Sequence, residues 1–449
     1  MFDSTTATVL VIVMGILIAL GVHIAVALGI ASAIGIYLIT DNFHVVQAMV
    51  ASTATEALRD FNFAVIPLFM LMGEFILRTR AIEDIYVAIN RGLKRIPGRL
   101  AVATVLGNAV FSFVTGVSIA SAAAFSRIAY PPMKAMGYHR NFALGAVAGS
   151  SCLGMLIPPS VLMIVWGILT EQSVGQLFLA GVLPGLLLTL FFILYIFAVA
   201  LIWPQTVGEK RRGAATEVSD EIALSEVEIR PLRTVLVSFI MITALVTSAL
   251  GGIWAGYFTP TEGAGAGAAI ALIFAFVRGM RGKELMEAIL SVGRTAAPIL
   301  LLLLSAALYS RVLAMSGLTN AVQGLFLESG LSPFAILMIM LGVWFVLGMV
   351  IDSISIMLLT VPIFAPLAIT LGYDPIGFAI MGILAIEAGL LTPPFGLLVY
   401  TVKATIRDKD VTLGGIFWGS TPYWIVMLAL FFLIAQFPVI ATWLPSLTF

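Results

Sequence analysis

Two stretches of the sequence combine adjacent prolines with glycine and hydroxyl residues in apolar surroundings. GSSCLGMLIPPS carries Ser150, Ser151, Gly154, Pro158 and Pro159, and EAGLLTPPF carries Glu387, Gly389, Thr392, Pro393 and Pro394. Proline has no amide hydrogen, so two in succession leave backbone carbonyls without intrahelical donors. Freed carbonyls plus Ser, Thr or Asp oxygens suit a small hard cation, and a helix N-terminus at such a break suits a carboxylate. Two further stretches gather small and hydroxylic residues between apolar arms. SFVTGVSIASAAA holds Thr115, Gly116, Ser118 and Ser121, and LGMVIDSISI holds Gly348, Asp352, Ser353 and Ser355. Asp352 is the strongest single candidate, because an ionisable group at membrane depth is expensive without a partner or a function.

Glycine and serine can also simply let helices approach closely, and proline can simply kink them. The paired occurrence of both motifs favours a binding role over packing alone. Few other ionisable residues interrupt apolar segments. Glu74, in PLFMLMGEFIL, and Arg311, in LYSRVLAMSG, read either as ion-paired or surface-level groups or as functional ones. Arg294 lies near a predicted membrane edge, where it could snorkel. Arg311 and Arg294 are the cations expected to reach toward an anionic substrate. Glu262, in GYFTPTEGAGAGAA, opens a glycine-rich helix and is expected to cap its N-terminus.

The elements that position these residues must fold in lipid. Of 449 residues, 61% are hydrophobic and 10% charged, and the mean hydropathy is +1.12. Apolar runs long enough to cross a bilayer recur, among them Leu10 to Ile39, Leu177 to Leu201, Val235 to Trp254 and Tyr423 to Ile440. They lack the alternation of barrel strands, so the expected fold is an all-α integral membrane protein. With 23 basic and 23 acidic residues there is no field to attract nucleic acid. The lone Cys152 and the scattered His23, His44 and His139 give no internal disulfide and no histidine metal cluster. The first apolar run has no basic residues before it and reads as a retained span, not a signal peptide.

The proline motifs are copies. A constant offset of 235 positions, the distance from Gly154 to Gly389, also pairs Pro158 with Pro393, Pro159 with Pro394, Gly137 with Gly372, Pro131 with Pro366 and Ser118 with Ser353. One register held this far predicts a duplication. The expected organisation is a first repeat over 1–204, a polar linker over 205–233 and a second repeat over 234–449. Hairpin tips are expected near 112–121 and 348–356, and broken helices near 150–160 and 385–395.

Charge predicts that the copies are inverted. Arg91, Lys94, Arg95 and Arg99 precede the first hairpin and Lys134, His139 and Arg140 follow it, so both its ends read as cytoplasmic. The second hairpin has no Lys or Arg over 317–375 and is expected to open outward. Both termini are then periplasmic and the linker cytoplasmic. Inverted repeats with interrupted helices place substrate and ion sites at the breaks.

GMLIPPS at Gly154, LFLAGVLPG at Leu177, GYFTPTEGAG at Gly256, PLFMLMGE at Pro67 and GLLTPPFG at Gly389 resemble, in that order along the chain, the large membrane subunit of tripartite ATP-independent periplasmic (TRAP) transporters. The resemblance implies an elevator-type, sodium-driven importer of organic acids in the bacterial inner membrane. It also implies a small membrane subunit and a periplasmic substrate-binding protein as partners. Carried over by position, sodium would be held by Gly116, Ser118, Ser150, Ser151 and Pro158, and by Asp352, Ser353, Gly389, Thr392 and Pro393. The substrate would meet Ser118, Ser353 and Thr392. The first tip departs from the family pattern at Val117 and Ser121. A stand-alone two-hairpin dicarboxylate carrier would share this plan, whereas an intramembrane enzyme would need a catalytic set that the sequence lacks.

Overall fold

The computed structural model describes residues 4–208 and 231–448, and among them every regular element is helical. The predicted linker lies, over 209–230, outside the described residues. The first repeat contains α1 (Ser4–Ala19), α2 (Ile24–Thr40), α3 (Phe43–Arg59), α4 (Val65–Arg78), α5 (Ala81–Gly92), α6 (Arg99–Thr115), α7 (Ser118–Ile128), α8 (Tyr130–Ala135), α9 (Arg140–Ser151), α10 (Leu153–Leu156), α11 (Val161–Thr170) and α12 (Val174–Ile202). The second contains α13 (Leu232–Val246), α14 (Pro260–Val277), α15 (Gly282–Ser316), α16 (Leu318–Glu328), α17 (Pro333–Gly348), α18 (Ser353–Thr370), α19 (Pro375–Gly389), α20 (Leu397–Thr405) and α21 (Leu413–Gln436). Among the described residues, eight spans are long and apolar enough to cross a membrane, counting 140–170 with its internal break.

Shifted by 235 positions, α6, α7, α9 and α11 fall on α17, α18, α19 and α20, so the repeat read from Gly and Pro is a repeat of elements. Packing between the copies is reciprocal. α4 lies on α14 while its counterpart α15 lies on α2, and α7 lies on α20 while α18 lies on α11. Such exchange is what an approximate two-fold axis between inverted repeats produces. It sorts the helices into a scaffold of α1–α4 with α13–α15 and a second body of α6–α12 with α17–α21. The arms α5 and α16 connect them.

One expectation needs correction. The run Leu10 to Ile39 is two helices, not one span: Gly21 turns the chain at φ +76°, and His23 caps α2 by accepting from the Ala25 amide at 3.3 Å. Apolar composition concealed a turn made by a single glycine and a histidine.

Lipid explains the helix faces. On α12, Leu186, Leu190 and Leu194 point outward while Leu188, Phe192 and Ile196 are buried. Helix association in lipid depends on close packing and small residues, and the crossing of α9 with α21 shows this. A Cβ added to Gly145 would stand 2.0 Å from the Gly419 carbonyl oxygen, and one added to Gly419 would stand 1.9 Å from that of Asn141.

The copies are not equivalent in how scaffold meets second body. α6 packs on α4 and α5, whereas among the described residues α17 has no comparable packing on α15 or α16. Instead α15 and α16 face α18 across a cavity of about 450 Å³ whose walls include Glu171, Gln172, Ser310, Asn320 and Pro366. The arms differ likewise. Fully buried Asp84 on α5 accepts from Arg278 Nη2 at 3.0 Å and from Ser238 Oγ at 2.6 Å, while α16 buries no residue.

At the end of the second body that carries the basic loops, Lys134 Nζ donates to Asp408 Oδ2 at 2.6 Å and the Tyr130 hydroxyl donates to the same oxygen at 3.1 Å. The Lys134 ammonium and the Asp410 amide hold the Asp408 carboxyl down at about 2. A depressed carboxyl stabilises the fold fully above its unfolded value, about 4, and loses that contribution as pH falls toward its folded value.

Two outcomes follow from this packing. Gly145→Val should cost about 1–3 kcal/mol by overpacking α9 against α21, lowering the thermal unfolding midpoint of the purified protein. Asp408→Asn should lower that midpoint by a constant amount between about pH 5 and 7, and the deficit should shrink as pH falls through about 4.

Candidate functional site

The chemistry assembles where the two tips meet the two proline breaks. In the first repeat, Gly116 ends α6 at φ +63° and its carbonyl accepts from the Val161 amide at 3.1 Å, tying the tip to the segment after Pro158 and Pro159. Only glycine fits, because a Cβ there would meet the Pro159 carbonyl oxygen at 2.3 Å. In the second repeat, the Met349 carbonyl accepts from the Phe395 amide at 3.1 Å, just after Pro393 and Pro394. Each hairpin is thus hydrogen-bonded to the break of its own repeat.

Ser118 and Ser353 occupy the first positions of α7 and α18, and both are buried. Asp352 caps α18 by accepting from the Ser355 amide at 3.0 Å and from its hydroxyl. Val117, its counterpart, provides no cap to α7. In the first break, Ser150 and Ser151 are buried and donate to the Ala146 and Ala148 carbonyls, each at 2.6 Å. In the second, buried Thr392 donates to the Gly389 carbonyl at 2.6 Å. Gly154 and Gly389 let the backbones close in: a Cβ on Gly154 would stand 3.1 Å from the Ser118 amide nitrogen, and one on Gly389 would stand 2.7 Å from the Gly348 Cα.

Two residues given no role from sequence also belong here. Buried Asn108, inside α6, donates from Nδ2 to Ser150 Oγ at 2.6 Å. Glu387, near the end of α19, is 1% exposed, and its Oε1 accepts from Ser353 Oγ at 2.8 Å. The repeat register held a clue, since Glu387 is the counterpart of Cys152, and Cys152 Sγ lies 3.8 Å from the Glu387 carbonyl oxygen. A carboxylate-bearing and a thiol-bearing residue stand at equivalent positions, the thiol on the other's backbone carbonyl, and here the repeats are not chemically equivalent. The oxygens of the first repeat are all neutral, whereas both carboxylates, Asp352 and Glu387, come from the second.

The structure does not bring the two arginines to this place. Arg311 is ion-paired with Glu56 of α3, and Arg294 lies on the exposed face of α15 beside Glu287. A guanidinium on a scaffold helix finds a carboxylate or the membrane surface more cheaply than the interior. Glu74 pairs with Arg78 at 3.0 Å. Glu262 and Thr259 form a reciprocal N-terminal cap on α14, with the Thr259 amide 2.8 Å from the Glu262 carboxylate.

The geometry therefore offers clustered, partly freed oxygens with two carboxylates, and, of the two tip helices, α7 starts at Ser118 without a side-chain cap while α18 is capped by Asp352. Comparison with known proteins bears on the family and the fold. Residues 11–440 match the family described as the tripartite ATP-independent periplasmic transporter, DctM component. The chain is 32% identical to the C4-dicarboxylate TRAP transporter large permease protein DctM of Pseudomonas aeruginosa over 87% of its length and 88% of that protein's. It is 28% identical to the sialic acid TRAP transporter large permease protein SiaM of Vibrio cholerae, covering 86% and 87%. It is 29% identical to the ectoine TRAP transporter large permease protein TeaC of Halomonas elongata, covering 87% and 88%. Among solved structures, the Alcanivorax borkumensis YdaH transporter shares the fold at a TM-score of 0.64 and 14% identity, over 91% of this chain and 90% of that one. The duplicated breaks, the order of the motifs and these matches agree: the chain belongs to the DctM family, the large permease component of TRAP transporters.

Proposed function

We propose that the chain is the membrane-crossing permease of a sodium-coupled importer of an organic anion. It would work in the bacterial inner membrane with a small membrane subunit and a soluble periplasmic substrate-binding protein, with both its termini periplasmic. The observation that carries this reading is the meeting of two hairpin tips and two proline breaks around buried oxygens. Relatives named for C4-dicarboxylate and sialic acid support a carboxylate-bearing solute.

Sodium would be held as a transported ion by the first tip and break, through Gly116, Ser118, Ser150, Ser151 and Pro158, and by the second through Asp352, Ser353, Gly389, Thr392 and Pro393. The substrate carboxylate would lie between Ser118, Ser353 and Thr392, favoured by the uncapped start of α7. Arg311 and Arg294 fall outside this arrangement. The body of α6–α12 and α17–α21 would carry the loaded site past the scaffold as a unit. Each monovalent cation moving down about 100 mV releases about 2.3 kcal/mol, so two would support an accumulation ratio of roughly 10³.

Uptake of C4-dicarboxylates and sugar acids into proteoliposomes, with the two membrane subunits reconstituted, should need both an inward sodium gradient and the soluble protein. Uptake without the soluble protein would instead identify a stand-alone carrier, and uptake indifferent to sodium would remove the coupling. Asp352→Ala and Ser353→Ala should each weaken sodium binding by about 1 kcal/mol, near fivefold, without reducing membrane insertion. Sodium titrations of uptake read this directly.

A further inference from the structure

We infer that Glu387 is the cation ligand shared by the two repeats, closing the first-tip ion site with a charge donated across the two-fold axis. This rests on the sodium-coupled reading above and names a residue that reading does not use.

A carboxylate fully removed from water must be paired, neutralised or coordinated to a cation. Glu387 is 1% exposed, and among the described residues no Lys, Arg or His is ion-paired with it. Its carboxylate accepts from the hydroxyl of Ser353, the first residue of the second tip helix. The same carboxylate also interacts with Ser118, the first residue of the first tip helix. Ser118 Oγ and Glu387 Oε2 are nevertheless both buried without a hydrogen-bond partner. Two adjacent buried oxygens from opposite repeats, each with unused lone pairs, are the ligand chemistry of a small hard monovalent cation.

Charge distribution points the same way. The second tip has its own carboxylate, Asp352, but both Asp352 oxygens are engaged by Ser355 in capping α18. The first tip has Val117 at the equivalent place, and its break has Cys152 where the second has Glu387. Without Glu387 the first site would hold a cation with neutral oxygens only. With it, two cations would be balanced by two carboxylates.

The test uses the full-length chain, purified with its co-expressed membrane partner, and reads the thermal unfolding midpoint against NaCl with choline chloride holding ionic strength. Wild type should be stabilised by sodium. Glu387→Gln, which keeps shape and removes charge, should raise the half-saturating NaCl concentration at least about tenfold, and Glu387→Asp should fall between them. Glu387→Asp, which keeps the charge and shortens its reach, reads the site even if Glu387→Gln does not fold. An unchanged sodium midpoint in Glu387→Gln, or in Glu387→Asp where the Gln variant does not fold, beside a sodium-responsive wild type, overturns the shared ligand and leaves the coupling intact. A wild type that responds equally to NaCl and choline chloride overturns both.

Discussion

In lipid a backbone carbonyl or amide without a partner costs several kcal/mol, and the structure is organised around where that cost is met. Continuous helices satisfy their own backbones. Of the broken ones, Gly116, Pro158 and Pro159 are buried within the protein, while Met349 is half-buried and Pro393 and Pro394 are exposed; in each repeat the tip and the break are hydrogen-bonded to each other. α7 packs on α20 and α18 on α11, so each tip helix lies against the helix that follows the other repeat's break. The candidate site and the fold therefore have the same origin: non-helical backbone persists at membrane depth where protein or a water-filled cavity takes it up, and the carbonyls it frees have the chemistry that a small cation would need.

The two-fold that assembles the site is broken chemically. Its first half contributes hydroxyls and an amide, Ser118, Ser150, Ser151 and Asn108, while its second half contributes the carboxylates Asp352 and Glu387. The packing is broken too, with α5 fixed to the scaffold through Asp84 and Arg278 while α16 buries nothing. An approximate symmetry with unequal halves is what the proposed movement would need, one set of contacts made in one state and its counterpart in the other.

Much of this was legible in the sequence. Proline and glycine act through the backbone, so the offset that pairs Gly154 with Gly389 located tips and breaks to within a few residues. Ser118 and Ser353 stood out for the same reason. Legibility failed where composition hid local geometry, as at Gly21 and His23 inside an apolar run, and where a role depended on contacts between repeats. Glu387 was visible in its motif, but its reach to Ser353 and Ser118 is a property of assembled helices. Arg311 looked like a substrate cation because its partner, Glu56, lies on another helix far away in sequence.

The central claim is that α6–α12 and α17–α21 move as one body against the scaffold. In this state Gly73 of α4 touches Thr115 at the first tip, where a Cβ on Gly73 would stand 3.0 Å from the Thr115 Cα. The most direct measurement is disulfide trapping of Gly73→Cys with Thr115→Cys in membranes, with buried Cys152 left in place. A moving body predicts a cross-link that forms in this state, whose yield changes with sodium and substrate, and which arrests uptake until reduced. Uptake that continues undiminished in the fully cross-linked pair would contradict the movement.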